Sequence, residues 1–530
     1  MAEMTPDARV ITITLNGETL TSAEVMAVAQ SWAAPERVQV AIDGAARERI
    51  NHSRRAVEAL VEAGVVVYGV TTGFGSFHDR VIPPDRVAEL QHNLIVSHSV
   101  GVGEPFSPGT VRALMLIRAN TLAKGYSGIR LEVVEKLVAM INRGVYPVVP
   151  CKGSVGASGD LAPLAHMVLP LIGEGEAFYR GERLAGAEAM RRAGLPTVEL
   201  DVKEGLALIN GTSPMAAIAV EGLHEGCLLV KTADIAGALS LEALYGTRDA
   251  FDERIHEVRA HPHQIASAAY IRALLEGSEL THRLDPERVQ DAYSLRCMPQ
   301  VHGAVREALA HADQVVQREL NAAVDNPLIF WENGEPLALS GGNFHGEPIA
   351  VVMDYVKTAM TELGNISERR VARLIDPSLN QGLPAFLVRE GGLNSGFMLP
   401  QYTAAALASE NKVLAHPASA DTIPTSANME DHVSMGTIAA RQAREITDNV
   451  ASILSIELIA AAQAVDFRRE GGEARLGRGT DAAYRLIRER VPFLEKDAIM
   501  YPYIEAVREI VKSGELVSRV EAAIAMSHEQ

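Results

Sequence analysis

The sequence predicts a mainly α protein: a long-helix bundle with a small mixed α/β part at its N-terminus. Three observations predict this class. RVITITL (9–15) and VQVAI (38–42) alternate like short strands, apolar residues form one helical stripe along 301–324, and residues 451–465 are apolar on nearly every side. A helix that is apolar all round needs neighbours all round, which places it inside a bundle.

The N-terminal elements come first in the chain. After the two strands, residues 44–64 have the spacing of an amphipathic helix. Helical patterns then dominate from about residue 105. We assign residues 1–125 to the mixed α/β part and residues 126–530 to the helical bundle, within one overall unit.

Three later helices have recognisable ends. One begins after Asp160 and stops near Gly173, because glycine commonly follows a helix C-terminus. The striped helix stops at Asp325-Asn326-Pro327, since proline disfavours a helical conformation in the residue before it. The longest runs from Gly436 to about Phe467.

Composition restricts the class of protein. The 530 residues are 47% hydrophobic and 22% charged, which is ordinary for a soluble globular protein. A formal net charge of -18 disfavours nucleic acid and anionic membranes as partners. The three cysteines form no C-x-x-C pair and are expected to be reduced thiols. Without an apparent signal peptide or membrane span, we expect a cytoplasmic protein.

Several familiar chemistries have no matching motif. The sequence contains no H-E-x-x-H pair, no G-x-G-x-x-G after a strand and no phosphate-binding G-x-x-x-x-G-K-[ST]. Ser158 lies in G-A-S-G and not in the G-x-S-x-G of serine hydrolases. His261 and His263 are interpreted as surface histidines. We therefore expect no metal and no external cofactor.

The stretch CKGSVGASGDLAPLAHM (151–167) places three glycines around Ala157-Ser158-Gly159. It is either a flexible turn or a segment whose backbone reacts. If the loop bends sharply, the Gly159 nitrogen can attack the Ala157 carbonyl carbon, because glycine has no Cβ to obstruct the approach. Loss of two waters, one of them from the Ser158 side chain, would leave a methylidene-imidazolone electrophile.

Taken whole, this stretch resembles the signature of the aromatic amino-acid ammonia-lyase family. The resemblance extends over most of the chain. It includes the segments 68-YGVTTGFG-75, 204-EGLALINGT-212, 289-VQDAYSLRC-297, 341-GGNFHGEP-348, 394-NSGFM-398 and 425-TSANMEDHVSM-435. It implies a helix-bundle homotetramer with shared active sites, and a 4-methylidene-imidazol-5-one formed from Ala157-Ser158-Gly159.

The resemblance also implies roles for individual residues. Tyr68, otherwise a packed aromatic residue at a strand end, becomes the base that removes the β-proton. Tyr293 and Arg296 lie three apart and would project together from one helical turn. Arg296 would hold the substrate carboxylate by a two-pronged contact, where the alternative is a surface ion pair. The remaining site residues by family match are Asn210, Gln290, Phe344 (equally well structural) and Met398.

Two features favour histidine as the substrate. Ser97-His98 resembles the pair found in the histidine branch of the family, although some tyrosine aminomutases share it. The carboxylate of Glu430, which the catalytic set includes, can accept a hydrogen bond from an imidazole N–H. Facing an apolar ring, it would be costly to bury. The expected reaction is non-oxidative deamination of L-histidine to trans-urocanate and ammonia, the first step of histidine breakdown.

Two residues depart from the histidine pattern, and three alternative functions compete with it. Thr71 and Met429 differ from the usual histidine pattern, which has Asn and Gln there. A tyrosine or phenylalanine ammonia-lyase or 2,3-aminomutase is the nearest rival, and a non-catalytic helical assembly protein is the second. A fumarase-like lyase is disfavoured because its own G-S-S-x-M-P-x-K-x-N loop is missing from the sequence.

Overall fold

The computed structural model describes residues 10–83, 86–283, 289–470, 472 and 474–525. The described chain is 59% helical with 19 helices, which confirms the mainly α prediction. It forms two compact units. The first contains the described residues of Met1–Glu221, Ala312–Asp354 and Pro417–Arg441, and the second contains those of Gly222–His311, Tyr355–His416 and Gln442–Gln530. The predicted boundary at residue 125 stays a prediction.

All strands of the described chain lie in the first unit, where they form four small sheets: parallel β1-β2 and antiparallel β3-β5, β4-β6-β7 and β8-β9. Their bounds are β1 Ile11–Leu15, β2 Val38–Ile42, β3 Val102–Pro105, β4 Val145–Pro147, β5 Pro150–Lys152, β6 Glu176–Tyr179, β7 Glu182–Ala185, β8 Leu328–Glu332 and β9 Glu335–Leu339. The first two confirm the predicted strands, although Arg9 lies outside the described residues.

The helices divide into three groups by unit. Those of the first unit are α1 Ser22–Gln30, α2 Gly44–Glu62, α3 Val87–His98, α4 Pro108–Ala123, α5 Leu131–Arg143, α6 Leu161–Val168, α7 Gly186–Arg192 and α8 Glu204–Ile209. Those of the second are α10 Glu253–Glu257, α11 Pro262–Leu274, α12 Tyr293–Arg296, α15 Met398–Leu414, α17 Arg478–Arg490, α18 Tyr501–Lys512 and α19 Glu515–Ala525. The unit boundaries fall inside α9 Ser213–Ala243, α13 Met298–Glu319, α14 Glu347–Ile375 and α16 Gly436–Arg469.

Helix α4 is the core of the first unit. It begins where Ser107 accepts a hydrogen bond from the Thr110 N–H and Pro108 occupies the first turn, a favourable start for a helix. Every residue from 109 to 123 is buried. The buried Arg112 donates to the carbonyl oxygens of Val28 and Val38, so its charge is matched by peptide dipoles.

The striped helix α13 ends at Glu319, five residues before its predicted end. Two hydrogen bonds explain the difference. The Asn120 amide donates to the Leu320 carbonyl (2.9 Å), and Asn321 Oδ1 accepts from the Leu20 N–H (2.9 Å). These tertiary partners replace the bonds that further helix would make.

The predicted all-round apolar segment lies in α16, where every residue of 451–465 except Ser452 is buried. The helix is long and apolar enough to cross a bilayer, but 83% of its most apolar window is buried inside the protein. Buried Glu457 accepts from Arg370 (2.8 Å) and Ser240 (2.8 Å), so the carboxylate charge is compensated within the second unit. Such a helix is a core element, as the sequence predicts.

Candidate active site

The loop before α6 has a backbone that requires glycine. Gly153, Gly156 and Gly159 have φ values of 134°, 71° and 70°, which L side chains rarely adopt. After the loop, α6 continues as a short 3₁₀ turn and stops at Gly173 (φ 87°), as predicted. The three glycines are therefore explained by conformation, before any chemistry is considered.

The loop is clamped to the segment that follows α8. The Gly211 N–H donates to the Ser158 carbonyl (3.1 Å), and the Asp160 N–H donates to the Gly211 carbonyl (2.8 Å). A Cβ on Gly159 would lie 2.1 Å from the Gly211 carbonyl oxygen. The backbones therefore approach more closely than any side chain at this position would permit.

Asp160 is the buried anchor of the loop. Its carboxylate accepts hydrogen bonds from Ser154 Oγ (2.6 Å), the Met215 N–H (2.7 Å) and Thr437 Oγ1. Burial raises the pKa of Asp160, while these three hydrogen bonds lower it in part. Because Ser154 also accepts from the Gly156 N–H (3.1 Å), the carboxylate fixes both ends of the turn.

Ser158 and Glu430 are in direct contact. Ser158 Oγ donates to Glu430 Oε1 (3.1 Å), and Thr425 Oγ1 donates to Glu430 Oε2 (2.8 Å). A backbone hydrogen bond from the Thr425 N–H to the Glu430 carbonyl (2.9 Å) closes the turn that carries the carboxylate. Glu430 is thus held by two hydroxyls, one of them the group that the proposed dehydration removes.

A cavity of about 210 Å³ opens beside the loop, and its lining includes Ser97, His98, Ala157, Gly159 and Glu430. This volume is below the roughly 300–1,000 Å³ of typical ligand pockets, which suits a small amino acid or a site that other residues complete. Two larger cavities, of about 600 and 780 Å³, contain none of the predicted site residues.

The pair Ser97-His98 presents a neutral imidazole to this cavity. Ser97 Oγ and His98 Nδ1 lie 3.1 Å apart at the end of α3. Burial lowers the pKa of His98, and the negative charge of Glu430 offsets only part of the effect. Neutral imidazole has one donor and one acceptor nitrogen, so it can pair with another imidazole.

Tyr68 lies in a turn at the start of its glycine-rich loop. Its hydroxyl accepts from the Gly75 N–H (3.2 Å), and its ring meets Phe74 edge to face at 6.5 Å. Burial raises the pKa of Tyr68, the Gly75 hydrogen bond lowers it, and the charge of Glu430 raises it further. The phenol is therefore protonated at neutral pH unless positive charge is brought close to it.

Two further predicted residues lie in the first unit. Asn210 ends α8, is 4% exposed, and its Oδ1 has no hydrogen-bond partner among the described residues. Phe344 is half-buried in the loop before α14. The next residue, His345, lies against His432 with ring centroids 5.7 Å apart, so this loop adjoins the segment that carries Glu430.

The other four predicted residues belong to the second unit. Tyr293 and Arg296 form α12, and the guanidinium carbon lies 4.6 Å from the Tyr293 ring centroid, which confirms that one turn brings them together. Tyr293 is 71% exposed. Gln290 is exposed, and Met398 begins α15 with a half-buried side chain.

The residues present fit a group formed from the loop itself. The hydroxyl of Ser158 is held by Glu430, and the buried Asn210 Oδ1 has no hydrogen-bond partner among the described residues. Sequence reasoning missed Asp160, Thr425 and Gly211 as supports. Nothing in their local patterns distinguishes them, because their partners are distant in the chain.

Comparison with known proteins agrees with this site. A profile of the aromatic amino acid lyase family matches residues 20–489. The chain is 57% identical to a histidine ammonia-lyase of Chloroflexus aurantiacus over 510 residues, covering 96% of this chain and 97% of that one. Two solved structures share the fold over 97% of this chain. Histidine ammonia-lyase from Trypanosoma cruzi is 41% identical, with a TM-score of 0.88 over 96% of that chain. Tyrosine aminomutase from Streptomyces globisporus is 40% identical, with a TM-score of 0.90 over 99% of that chain.

Enzymes of this family act on amino acids and use a prosthetic group that they form from their own chain. The profile match extends over most of the sequence, and the Chloroflexus aurantiacus relative is aligned over nearly its full length. The conformation of the glycine loop and the contact between Ser158 and Glu430 are consistent with that chemistry. The chain therefore belongs to the aromatic amino acid lyase family.

Proposed function

We propose that this protein is a histidine ammonia-lyase, which converts L-histidine to trans-urocanate and ammonia without oxidation. The observation that carries the proposal is the contact of Ser158 Oγ with Glu430 in a cavity that His98 also lines. It brings the reactive loop together with a carboxylate and a neutral imidazole, which are suitable partners for an imidazole ring. Relatives named histidine ammonia-lyase support the substrate.

The prosthetic group of the proposal is 4-methylidene-imidazol-5-one, formed from Ala157, Ser158 and Gly159 with no external cofactor. It supplies an electrophile that makes the substrate amine a better leaving group. The chain's own contribution is to hold the loop, because Asp160 fixes the turn. In this proposal the side-chain N–H of Asn210 donates to the ring oxygen or to the substrate carboxylate.

Glu430 has two successive partners in this proposal. Its Oε1 accepts the Ser158 hydroxyl in the unprocessed chain. Dehydration removes that hydroxyl, so the same oxygen becomes free to accept an N–H from the substrate imidazole. Thr425 keeps its bond to the other oxygen and holds the carboxylate in place throughout. A buried acceptor without a partner is costly, which favours a substrate that donates there.

Tyr68 takes the β-proton of the substrate in this proposal. Its pKa is raised by burial, so the base is active only in the small fraction that is ionised. A cationic group near the phenol would increase that fraction. The substrate ammonium and Arg296 are the cations that the proposal brings to the site.

The remaining residues have these roles in the proposal: Arg296 is the clamp on the substrate carboxylate, Tyr293 is a catalytic phenol, and Gln290 and Met398 are substrate contacts. Phe344 joins them from the first unit. We propose a cytoplasmic homotetramer in which neighbouring subunits share each active site. The exposure of Tyr293 in a single chain, where 71% of the residue is accessible, supports this arrangement.

A second candidate is a tyrosine or phenylalanine ammonia-lyase or aminomutase with the same electrophile. The fold likeness to tyrosine aminomutase, with a TM-score of 0.90, favours it. An aminomutase returns ammonia to the β-carbon of the product, whereas a lyase releases it. Glu430 argues against an aromatic hydrocarbon ring as the substrate side chain, because that ring offers no donor to the carboxylate.

The test is incubation of the purified protein with L-histidine, L-tyrosine and L-phenylalanine separately, followed by ultraviolet absorbance and product analysis. We expect trans-urocanate from L-histidine at a catalytic efficiency at least about 100-fold above that for L-phenylalanine, since a site built on hydrogen bonds rejects a ligand that lacks them. The efficiency for L-tyrosine, whose phenol has a single donor, should also be lower than that for L-histidine. A preference for L-tyrosine or L-phenylalanine would exclude histidine as the substrate. A β-amino acid product would identify an aminomutase.

A further inference from the structure

His345, Glu347 and His432 form a cluster that the proposed reaction does not use. Each offers one ligand atom, and the three atoms lie within 4.8 Å of one another. His345 and Glu347 are half-buried, and His432 is exposed. The first two stand at the start of α14, and the third follows Glu430 by two residues. This His, Glu, His group is therefore built by two segments distant in the chain.

The Glu347 carboxylate has an unmet requirement. Its Oε2 is buried and has no hydrogen-bond partner within the described residues, and His345 Nδ1 lies 3.9 Å from it, beyond hydrogen-bond distance. A carboxylate oxygen removed from water without a partner is destabilising, so a positive charge at this point would be favourable. The position points to a cation between the carboxylate and the two imidazoles.

One hydrogen bond of the His345 imidazole is long enough to be exchanged for a bond to a cation. His345 Nε2 lies 3.3 Å from the His432 carbonyl, and His345 Nδ1 accepts from the Glu347 N–H, also at 3.3 Å. The contact with the His432 carbonyl is longer than the usual 2.7–3.2 Å of an N–H···O bond, so it is weak and can be exchanged for a metal bond.

We infer that a divalent transition-metal ion, with Zn²⁺ as the best match, binds to His345, Glu347 and His432. Two imidazoles and one carboxylate are ligands that Zn²⁺ accepts, with a fourth position left for water. Bonds of about 2.0 Å place tetrahedral ligands roughly 3.3 Å apart. A rotation of the exposed His432 side chain closes the difference from 4.8 Å. The net charge of -18 favours the approach of cations.

The consequence would be a link between two site-bearing segments. The loop of 341–346 carries Phe344, and the segment of 425–435 carries Glu430. A metal bonded to residues of both would fasten these segments together and so fix the position of the Glu430 carboxylate. The inference goes beyond the proposed reaction, which needs no metal, and it departs from the sequence expectation of no metal site.

The test is zinc binding by the intact protein. Chelator-treated protein in a reducing buffer is titrated with Zn²⁺ by calorimetry, and the metal per chain is measured by mass spectrometry after dialysis. We expect one Zn²⁺ per chain and a rise in melting temperature on binding. Glu347→Gln and His432→Gln should each weaken zinc binding at least tenfold, and their melting temperatures without zinc should stay close to that of the wild type.

Two matched variants complete the experiment. His263 lies in α11 and pairs with Glu307 (3.6 Å), and the described residues provide no third ligand beside this pair, so His263→Gln should leave zinc affinity unchanged. Cys227→Ser, which removes an exposed thiol, should also leave the stoichiometry unchanged. No saturable binding by the wild type, or equal affinity in Glu347→Gln and His432→Gln, would overturn the inference. Activity plays no part in these readouts, so the result is independent of the proposed reaction.

Discussion

The Ala157–Gly159 loop and helix α12 carry two parts of the predicted chemistry, and the chain positions them differently. In the loop, the Ser158 hydroxyl and carbonyl both have protein partners within the first unit, and Gly159 touches backbone. In α12, Tyr293 is 71% exposed, and the buried Nε of Arg296 has no hydrogen-bond partner among the described residues. One region is complete in a single chain, and the other has unfilled contacts.

This difference between the loop and α12 indicates which part of the proposed site has to be held in position before substrate binds. If the loop cyclises before any substrate arrives, as proposed, it has to be shaped by its own chain, and the buried carboxylate of Asp160 does this. A clamp that acts only on bound substrate can be completed later. An exposed phenol such as that of Tyr293 is what a single chain would present if a neighbouring subunit covered it, as the proposed homotetramer requires.

The largest expected effect is on the loop. Gly159→Ala adds a Cβ 2.1 Å from the Gly211 carbonyl at a φ of 70°. Because neither backbone can yield cheaply, we expect no cyclisation, an intact mass that retains both waters, and a loss of activity of at least about 10³-fold, or about 4 kcal/mol. Mass spectrometry and urocanate absorbance measure the two effects.

Gly64→Ala is the matched control. Gly64 has a nearly equal φ of 66°, but its Cβ would meet no atom within 4 Å. It should lower the free energy of unfolding by roughly 1–2 kcal/mol, the cost of a left-handed residue. It should keep the two-water mass loss and full activity. A cyclised, active Gly159→Ala protein would show that the close approach to Gly211 is unnecessary.

The second effect concerns α12. Arg296→Lys replaces a planar fork by a point charge, and we expect a loss of about 2–4 kcal/mol in transition-state binding, on the order of 30- to 1,000-fold in catalytic efficiency. If subunits share sites, mixing this chain with a Ser158→Ala chain should restore activity. With random assembly the recovery approaches about a quarter of the wild-type value, because half of the loops and half of the clamps are intact.

The exposed Arg254, paired with Asp252 at 2.8 Å, provides the control for charge alone. Arg254→Lys should leave activity within about twofold, since exposed pairs contribute little. A mixture that never exceeds the mean of its two parent proteins would place the loop and the clamp of each site in one chain.

The smallest effect concerns Tyr68 and pH. The base acts when deprotonated, and burial raises its pKa, so the active fraction grows as pH rises through neutrality. Catalytic efficiency should therefore increase with pH by up to about tenfold per unit below the pKa. A fluorinated tyrosine placed only at position 68 has a more acidic phenol, so the rise of catalytic efficiency should occur at lower pH. If the pH of this rise does not change, the rise reports the ionisation of another group, such as the substrate amine.

The sequence by itself determined the fold class and the place of the glycine-rich loop before α6. Both are local properties. The apolar pattern of 451–465 requires burial on every side, and the spacing of Gly153, Gly156 and Gly159 meets a backbone need that no other residue meets. The strands β1 and β2 followed from alternation in the same way, and the turn that joins Tyr293 to Arg296 followed from their spacing.

Only the tertiary structure decided what surrounds that loop. Ser158 and Glu430 are 272 residues apart in the chain, and no local pattern predicts that they share a hydrogen bond. The same holds for the end of α13, which Asn120 and Leu20 set through bonds to residues 320 and 321. Periodicity reports which face of an element is buried, whereas the partners on that face depend on how distant segments pack, and packing is a property of the folded chain alone.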